Sequence, residues 1–275
     1  MKTIIAATNF SEVSNHAVDF AADVAKAVKA RLIIFNVVNI VPAMSDAQLP
    51  LDACGATIEE TDKLLSELLL KTKKRVNNEI EIEAVYKVGS VIRELDALCD
   101  REAPFAVFIA SQFVTVLERL VLGTYSVTIA KYSSFPVIVI PPLATMNGFK
   151  KVGLAVDLTG SDSLQWPFLR SWLKPFHPQT DIVYVSSGSA GSAKEVPMTV
   201  EIQEQLDNFN LKYHFLANDN IVDGIKEYII KNAPDLLIMF VQKHGIFHKS
   251  ITKAFIKEPP VPVMFFSSKL KGAFR

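Results

Sequence analysis

The loop after the fourth predicted strand holds the residues best suited to binding a phosphate group. Residues 109–124 read IASQFVTVLERLVLGT, and the closing Gly123-Thr124 pair is predicted to open a helix. The free amides and the dipole of such a helix start can hold an anion. Phe113 stands where a phosphate-cradling backbone would favour glycine, because a β-carbon restricts the torsions and the close approach that a phosphate needs. These residues predict the outline of a phosphate loop with much of its backbone freedom removed.

A histidine pair offers a different chemistry. His244 and His248 are four residues apart, a spacing that on a helix places two imidazoles on one face for a metal ion. Gly245 between them, two flanking lysines and the lack of a nearby third ligand argue against this, so no metal site is predicted. An anion held by Lys243, His244, His248 and Lys249 stays open.

Residues for covalent or acid–base catalysis do not form a recognisable set. The serines, histidines and aspartates are scattered, and no nucleophile stands beside a base and an orienting acid. Nucleophilic catalysis requires those groups within hydrogen-bond reach of one another. The sequence therefore predicts a protein without classical enzyme chemistry.

The composition argues against several classes of partner. Lys and Arg (29) balance Asp and Glu (29), so the basic excess typical of nucleic-acid binding is missing. No apolar stretch approaches the roughly 18 residues of a membrane span, and the opening MKTIIAATNF reads as a first strand rather than a signal. Cys54 and Cys99 have no metal or disulfide spacing, which fits a reducing cytoplasm. We expect a cytoplasmic protein that binds neither nucleic acid nor membrane.

The elements that must position these residues alternate in type. Short apolar runs such as TIIAAT, RLIIFNVV and FAVFIA are separated by segments of helical period, which predicts a mostly parallel sheet with helices on both faces. Ser11 is predicted to cap the first helix, and Glu12 to complement its dipole. Each half of the chain contains five such strands. The expected fold is α/β, with two open five-stranded mostly parallel sheets.

The two halves repeat one pattern, with domains predicted at 1–145 and 149–270. Three stretches of the first half match three of the second in the same order: 2–11 with 150–159, 102–111 with 232–241, and 123–140 with 249–266. The offset falls from 148 to 130 to 126. Both losses lie between elements, so the framework is kept in a shortened second domain. Residues 41–56 are expected to form a long loop that the second domain lacks.

Ligands of open parallel sheets bind beyond the carboxyl ends of the strands. At that edge the first domain presents Thr8 and Asn9, Val37, the pair Val88-Gly89, and the loop from Ala110 onward. The phosphate-loop outline therefore lies where a ligand is expected.

These residues resemble the universal stress protein family over nearly all of both halves. The resemblance rests on IIAATNFSE at the first strand and its turn, on the VGS step at 88–90, and most specifically on LGTYSVTIAKYSSFPVIVIPP. It implies a tandem protein of stress response whose fold is Rossmann-like, similar to the adenine nucleotide α-hydrolases.

The resemblance also implies a nucleotide site that has degenerated. Nucleotide-binding members carry a Gly-x2-Gly-x9-Gly-Ser/Thr loop, whose first two glycines fall here on Ala110 and Phe113. The family's adenine-contacting aspartate falls on Asn9 in the first domain and, as a weaker candidate, on Asp157 in the second. The candidate site residues of the first domain are thus Thr8, Asn9, Val37, Ala110, Gly123 and Thr124.

The expected function is a non-enzymatic, tandem-domain binding or interaction module with no cofactor. The alternative is an ATP- or AMP-binding switch or slow ATPase that uses the first domain. An adenylating enzyme of the same fold is disfavoured, because residues 8–11 read Thr-Asn-Phe-Ser where such enzymes carry a Ser-Gly-Gly-x-Asp-Ser loop.

The last strand of each domain is apolar and would be an edge that needs covering. In the family such strands are implied to associate across a twofold axis. Residues 136–140 and 262–266 are therefore expected to pair within the chain as a pseudo-dimer, and a further homodimer stays open.

Overall fold

The computed structural model describes residues 1–38, 51–111, 123–156, 165–186, 196–241, 249–267 and 270. The chain divides into two compact units, Met1–Ala110 and Ser111–Arg275. The repeat boundaries at 1–145 and 149–270 concern duplication of sequence and stay a prediction. In the parts described, no helix is long and apolar enough to cross a membrane.

Unit one alternates strands and helices, as its sequence predicts. Its elements are β1 (Thr3–Ala7), α1 (Glu12–Val28), β2 (Arg31–Val38), α2 (Leu51–Arg75), β3 (Ile82–Val88), α3 (Val91–Glu102) and β4 (Ala106–Ala110).

Unit two follows the same scheme after a helix and a strand that complete the first repeat. Its elements are α4 (Gly123–Tyr132), β5 (Val137–Ile140), β6 (Lys151–Ala155), α5 (Trp166–Leu173), β7 (Gln179–Ser186), α6 (Val196–Gln205), β8 (Asn210–Ala217), α7 (Ile221–Asn232), β9 (Leu236–Val241), α8 (Lys249–Lys257) and β10 (Val263–Ser267).

Helix α1 begins where its capping residues predict. Ser11 has extended backbone torsions, and its hydroxyl accepts the N–H of Ser14 at 3.3 Å. Glu12 lies in the first turn, where the helix dipole favours an acid. The helix ends at Val28, because Lys29 adopts φ 52° and its N–H closes the last turn.

Helix α2 begins earlier than the sequence predicts. Residues 41–56 read as a loop, yet α2 starts at Leu51 and runs for 25 residues; residues 39–50 lie outside the described part. The single glycine of this stretch, Gly55, costs only about 1 kcal/mol in a helix. Burial farther along α2, at Leu65, Leu68 and Val76, offsets that cost, since each buried aliphatic side chain contributes about 1.5–3 kcal/mol.

The α/β prediction is confirmed, and the prediction of two separate five-stranded sheets is wrong. Unit one has four strands in the order β3-β2-β1-β4, all parallel where the pairing is described, and unit two has six strands in the order β5-β10-β9-β6-β7-β8. The physical reason lies in unit two, where β5 and β10 pair antiparallel, with Ile138 opposite Met264. The closing strands of the two repeats thereby satisfy each other's backbone groups.

The helices and strands reproduce the three sequence offsets, the last of them at the starts of α4 and α8, where Gly123 and Lys249 are 126 positions apart. Arg31 at the start of β2 corresponds to Gln179 of β7, 148 positions on, so the offset of β1 and β6 persists through the second strand. The twelve residues of α3 correspond to the twelve of α7 at an offset of 130. Of the 18 residues lost, 3 fall between the second strand and its helix (39–50 against 187–195) and 15 fall in the helix itself, since α2 has 25 residues and α6 has 10. The loss therefore lies mostly in the helix, and not in the loop predicted at 41–56.

Candidate functional site

The parallel register of unit one brings four of the predicted site residues to one rim. Because Ala7 pairs with Phe35 on β2, the next residues along, Thr8 and Asn9, lie level with the end of that strand. Ala6 pairs with Phe108 on β4, which places Ala110 beside Thr8. Thr8, Asn9, Val37 and Ala110 thus share the carboxyl rim that the sequence predicts.

Thr8 organises the turn between β1 and α1 from a buried position, 7% exposed. Its hydroxyl accepts the N–H of Phe10 at 2.9 Å and donates to the side-chain oxygen of Asn15 at 3.0 Å. Asn15 in turn donates to the carbonyl of Phe10 at 3.2 Å. These bonds hold Phe10 at φ 64°, a left-handed conformation that costs a side-chain-bearing residue energy. Thr8 therefore acts on the turn itself.

Asn9 is exposed, but its acceptor is already used. Its Oδ1 accepts the N–H of Ser11 at 3.2 Å and the hydroxyl of Ser11 at 2.7 Å, which is an Asx turn leading into the helix cap. The Asn9 N–H donates to the hydroxyl of Ser14 at 3.3 Å. The oxygen expected to face an adenine is thus committed to its own loop.

The neighbouring strand ends are held in the same way. The side chain of Asn36, 6% exposed, donates to the Thr8 carbonyl at 2.8 Å and ties β2 to the turn. The Gly89 N–H donates to the Val38 carbonyl at 3.0 Å. Gly89 has φ 151°, and an added β-carbon would come within 3.0 Å of Glu94 Oε1, so glycine is required there. Sequence reasoning missed Asn36, although an asparagine inside an apolar strand run could have signalled it.

The phosphate half of the predicted site belongs to unit two. Gly123 and Thr124 are the first residues of α4, as predicted for a helix start. Ser111, fully buried, donates its N–H to the Ile140 carbonyl at 2.8 Å, and its hydroxyl has no hydrogen-bond partner among the described residues. Phe113 and Asp157 lie outside the described residues, so their side chains stay predictions.

The histidine pair also falls outside the described part, together with Lys243, and only the backbone of Lys249 at the start of α8 is described. Within the described ranges, no group of three or more His, Cys, Asp or Glu side chains is arranged to hold a metal ion. Burial raises the pKa of the Cys99 thiol, with Asp96 and Asp100 adding to the rise. A thiol of this kind is inert as a nucleophile.

Unit two contains a buried polar cluster that sequence reasoning missed. Asp181 on β7 is 1% exposed. Its Oδ1 accepts from Gln179 at 2.7 Å, its Oδ2 accepts the Tyr228 hydroxyl at 2.9 Å, and His214 Nε2 lies 3.1 Å from Oδ2. Gly153 makes room for this cluster, because a β-carbon there would lie 2.8 Å from the Tyr228 ring. The acid in TDIVYV, otherwise an apolar run, was the available signal.

The chemistry of the cluster is structural. Burial raises the pKa of Tyr228, and the nearby Asp181 carboxylate raises it further, so the phenol stays a hydrogen-bond donor. A buried carboxylate requires such donors to offset its desolvation. The cluster joins β7, β8 and α7 through one acid.

The fold and the rim can now be compared with known proteins. A family model described as the universal stress protein family matches residues 1–141. The chain belongs to the universal stress protein family. The resemblance predicted from the rim loops and the LGTYSVTIAKY stretch is therefore confirmed.

Solved structures share the fold of this universal stress protein. The crystal structure of a universal stress protein from Archaeoglobus fulgidus DSM 4304 superposes with a TM-score of 0.73 at 14% identity, over 96% of each chain. The cytoplasmic domain of a prokaryotic cation chloride cotransporter superposes with a TM-score of 0.57 at 10% identity, over 99% of this chain and 97% of that one. Identities this low indicate a common fold and carry no ligand or activity across. Among curated proteins, none matches significantly.

Proposed function

We propose that the chain is a non-enzymatic stress-response protein of the cytoplasm. Its two repeats would act as one pseudo-dimeric interaction module whose nucleotide sites are degenerate. The pairing of β5 with β10 and the balance of 29 basic against 29 acidic residues support this proposal. No cofactor is required for it.

The observation that carries the proposal is the commitment of Asn9 Oδ1 to the backbone and hydroxyl of Ser11. To accept from an adenine amino group, that oxygen would have to give up an Asx turn and loosen the cap of α1. Each bond of this kind is worth about 0.5–1.5 kcal/mol net. Ala110 adds a β-carbon where the family's loop carries glycine, so the rim offers neither the acceptor nor the open backbone.

An ATP- or AMP-binding switch, or a slow ATPase, is the second candidate. It is favoured by the buried Ser111 hydroxyl directly after β4, which lacks a hydrogen-bond partner in the part of the chain that the structure describes and which a ligand oxygen could satisfy. Gly123 and Thr124 at the start of α4 are compatible with a single anion. A triphosphate would need the backbone freedom that Ala110 and Phe113 remove.

A thermal-shift experiment on the full chain separates the two candidates. ATP, AMP and pyrophosphate are added in separate samples, and ATP hydrolysis is assayed in parallel. A ligand at one hundred times its Kd stabilises a protein by about 2.7 kcal/mol, so millimolar nucleotide detects even weak sites. We expect an unchanged Tm and no hydrolysis; a rise with ATP that pyrophosphate does not reproduce supports the nucleotide switch.

A further inference from the structure

The outermost strands β3 of unit one and β8 of unit two each lie beside an exposed surface with apolar residues, and the two surfaces differ in charge. The Asn218 N–H donates to Ser186 on β7, and the Gly89 N–H donates to Val38 on β2. The backbone N–H and C=O groups of successive residues point to alternate sides of a strand. Those of Phe215 and Ala217 therefore point away from β7, and those of Tyr86 and Val88 point away from β2.

The surface beside β8, called here the β8 patch, is apolar with an acidic rim. Val200, Gln203 and Glu204 of α6 and Tyr213 and Phe215 of β8 line a groove of about 440 Å³. Val200 is 51% exposed and Phe215 42%. Tyr213 and Phe215 stack with ring centroids 6.2 Å apart, which gives the groove an aromatic floor.

The matching surface beside β3, called here the β3 patch, is apolar with a basic rim. At the offset of 130 that relates α2 to α6, Leu70, Lys73 and Lys74 stand where α6 has Val200, Gln203 and Glu204. Leu70 is 68% exposed, and Val88 at the end of β3 is 46% exposed. The exposed Lys74 has no described ion pair, whereas the neighbouring Lys71 and Arg75 are paired with Asp19 and Asp23.

We propose that the β8 patch of one molecule docks on the β3 patch of a second copy of this chain. Glu204 then faces Lys73 and Lys74 of the second copy, while Val200 and Phe215 cover its Leu70 and Val88. The open backbone groups of β8 and β3 pair across the contact, as in strand addition to a sheet edge. This inference goes beyond the proposed function and does not depend on the nucleotide site.

The charges of the two patches favour a contact between a β8 patch and a β3 patch over a contact between two identical patches. Two β3 patches facing each other would bring four lysines together, and two β8 patches would face glutamate with glutamate. Like charges across an interface are unfavourable, whereas a basic rim against an acidic rim fixes the register. The contact joins unlike surfaces, so each added copy leaves one patch of each kind open and assembly proceeds head to tail.

The test is the mass-average molar mass of the full chain, measured by light scattering over a range of concentrations at low and high salt. Wild type is expected to gain mass with concentration and to lose that gain in high salt. Glu204→Lys alone, and Lys73→Glu with Lys74→Glu, are each expected to weaken association about tenfold. The triple variant exchanges the rim charges and is expected to recover wild-type association. Leu143→Lys, at a side chain that is 92% exposed and belongs to neither patch, is the control and should change nothing.

Three results would overturn the proposal. One is a monomeric mass at every concentration, with circular dichroism showing folded protein. The second is a triple variant that associates no better than the weaker of its two parents. Third, if Phe215→Lys abolishes association while Lys73→Glu with Lys74→Glu leaves it intact, the contact is a symmetric β8 pairing and the proposal fails.

Discussion

The two units differ in the polarity of four interior side chains that occupy equivalent positions in the two repeats. Unit one uses apolar side chains there, and unit two uses a glycine and the members of its buried polar cluster. In the order β1/β6, β2/β7, β3/β8 and α3/α7, the pairs are Ile5 and Gly153, Ile33 and Asp181, Val85 and His214, and Leu98 and Tyr228. Unit one instead has a hydrogen-bonded group of buried polar side chains, Thr8, Ser14 and Asn36, at the carboxyl rim. The comparison teaches that one sheet architecture accommodates two distributions of polarity, provided that a buried carboxylate such as that of Asp181 receives hydrogen bonds from its neighbours.

The largest effect is expected when an aspartate is introduced into unit one at the position equivalent to Asp181, without the partners that Asp181 has in unit two. Ile33→Asp places a carboxylate on β2, where the positions equivalent to His214 and Tyr228 are occupied by Val85 and Leu98. We expect a loss of about 4 kcal/mol in the free energy of unfolding, because an uncompensated buried charge costs about that much. Urea unfolding followed by far-UV circular dichroism measures it. Ile33→Val is the control, with a cost of about 1 kcal/mol; a loss no larger than the control's would refute the comparison.

Removing the acid from unit two is expected to cost somewhat less. Asp181→Ala leaves Tyr228 and Gln179 without their acceptor, and the expected loss is about 3 kcal/mol. Trp166 and Trp172, the two tryptophans of the chain, lie on α5 in unit two, so tryptophan fluorescence reports the change where it occurs. Asp181→Asn keeps one acceptor and should lose less. Equal stability of Asp181→Ala and wild type would show that the cluster contributes nothing.

We expect substitutions at Gly153 and Tyr228 to be coupled in their effects on the free energy of unfolding. Gly153→Ala would bring a β-carbon within 2.8 Å of the Tyr228 ring, and overpacking of this kind costs about 1–3 kcal/mol. In Tyr228→Leu the same alanine should cost less, because leucine is what unit one carries at the equivalent position. A double-mutant cycle from urea unfolding gives the coupling energy. Strict additivity would mean that Gly153 serves some other purpose.

The smallest effect is expected at the rim of unit one. Ser11→Ala removes the cap of α1 and one donor to Asn9, and loss of a helix cap costs about 1 kcal/mol. Hydrogen exchange at the Ser14 amide should speed up before the rest of the helix is affected. Ser11→Thr, which keeps the hydroxyl, is the matched variant. An unchanged exchange rate of the Ser14 amide in Ser11→Ala would show that the Ser11 hydroxyl does not protect this amide from solvent.

Sequence reasoning reached the framework because the signals there are local. Ser11 next to Glu12, the apolar runs and the three offsets predicted α1, the order of elements and the repeat. The Asn9–Ser11 turn could not be separated from a ligand contact, because the same amide oxygen suits both. The partners of Asp181 come from residues 33 and 47 positions away, whereas the pairing of the two closing strands was expected only through the family resemblance. Long-range pairings of this kind leave no periodic trace.

The central claim is that polar side chains at the carboxyl rim of unit one, Asn9 above all, form hydrogen bonds within the rim and are therefore not free to bind a nucleotide. Isothermal titration calorimetry of ATP into the full chain tests it most directly, beside a variant with Asn9→Asp, Ala110→Gly and Phe113→Gly that returns the acid and both glycines. We predict no saturable heat for wild type and measurable binding for the variant. Saturable micromolar binding by wild type that Gly123→Phe abolishes would contradict the account.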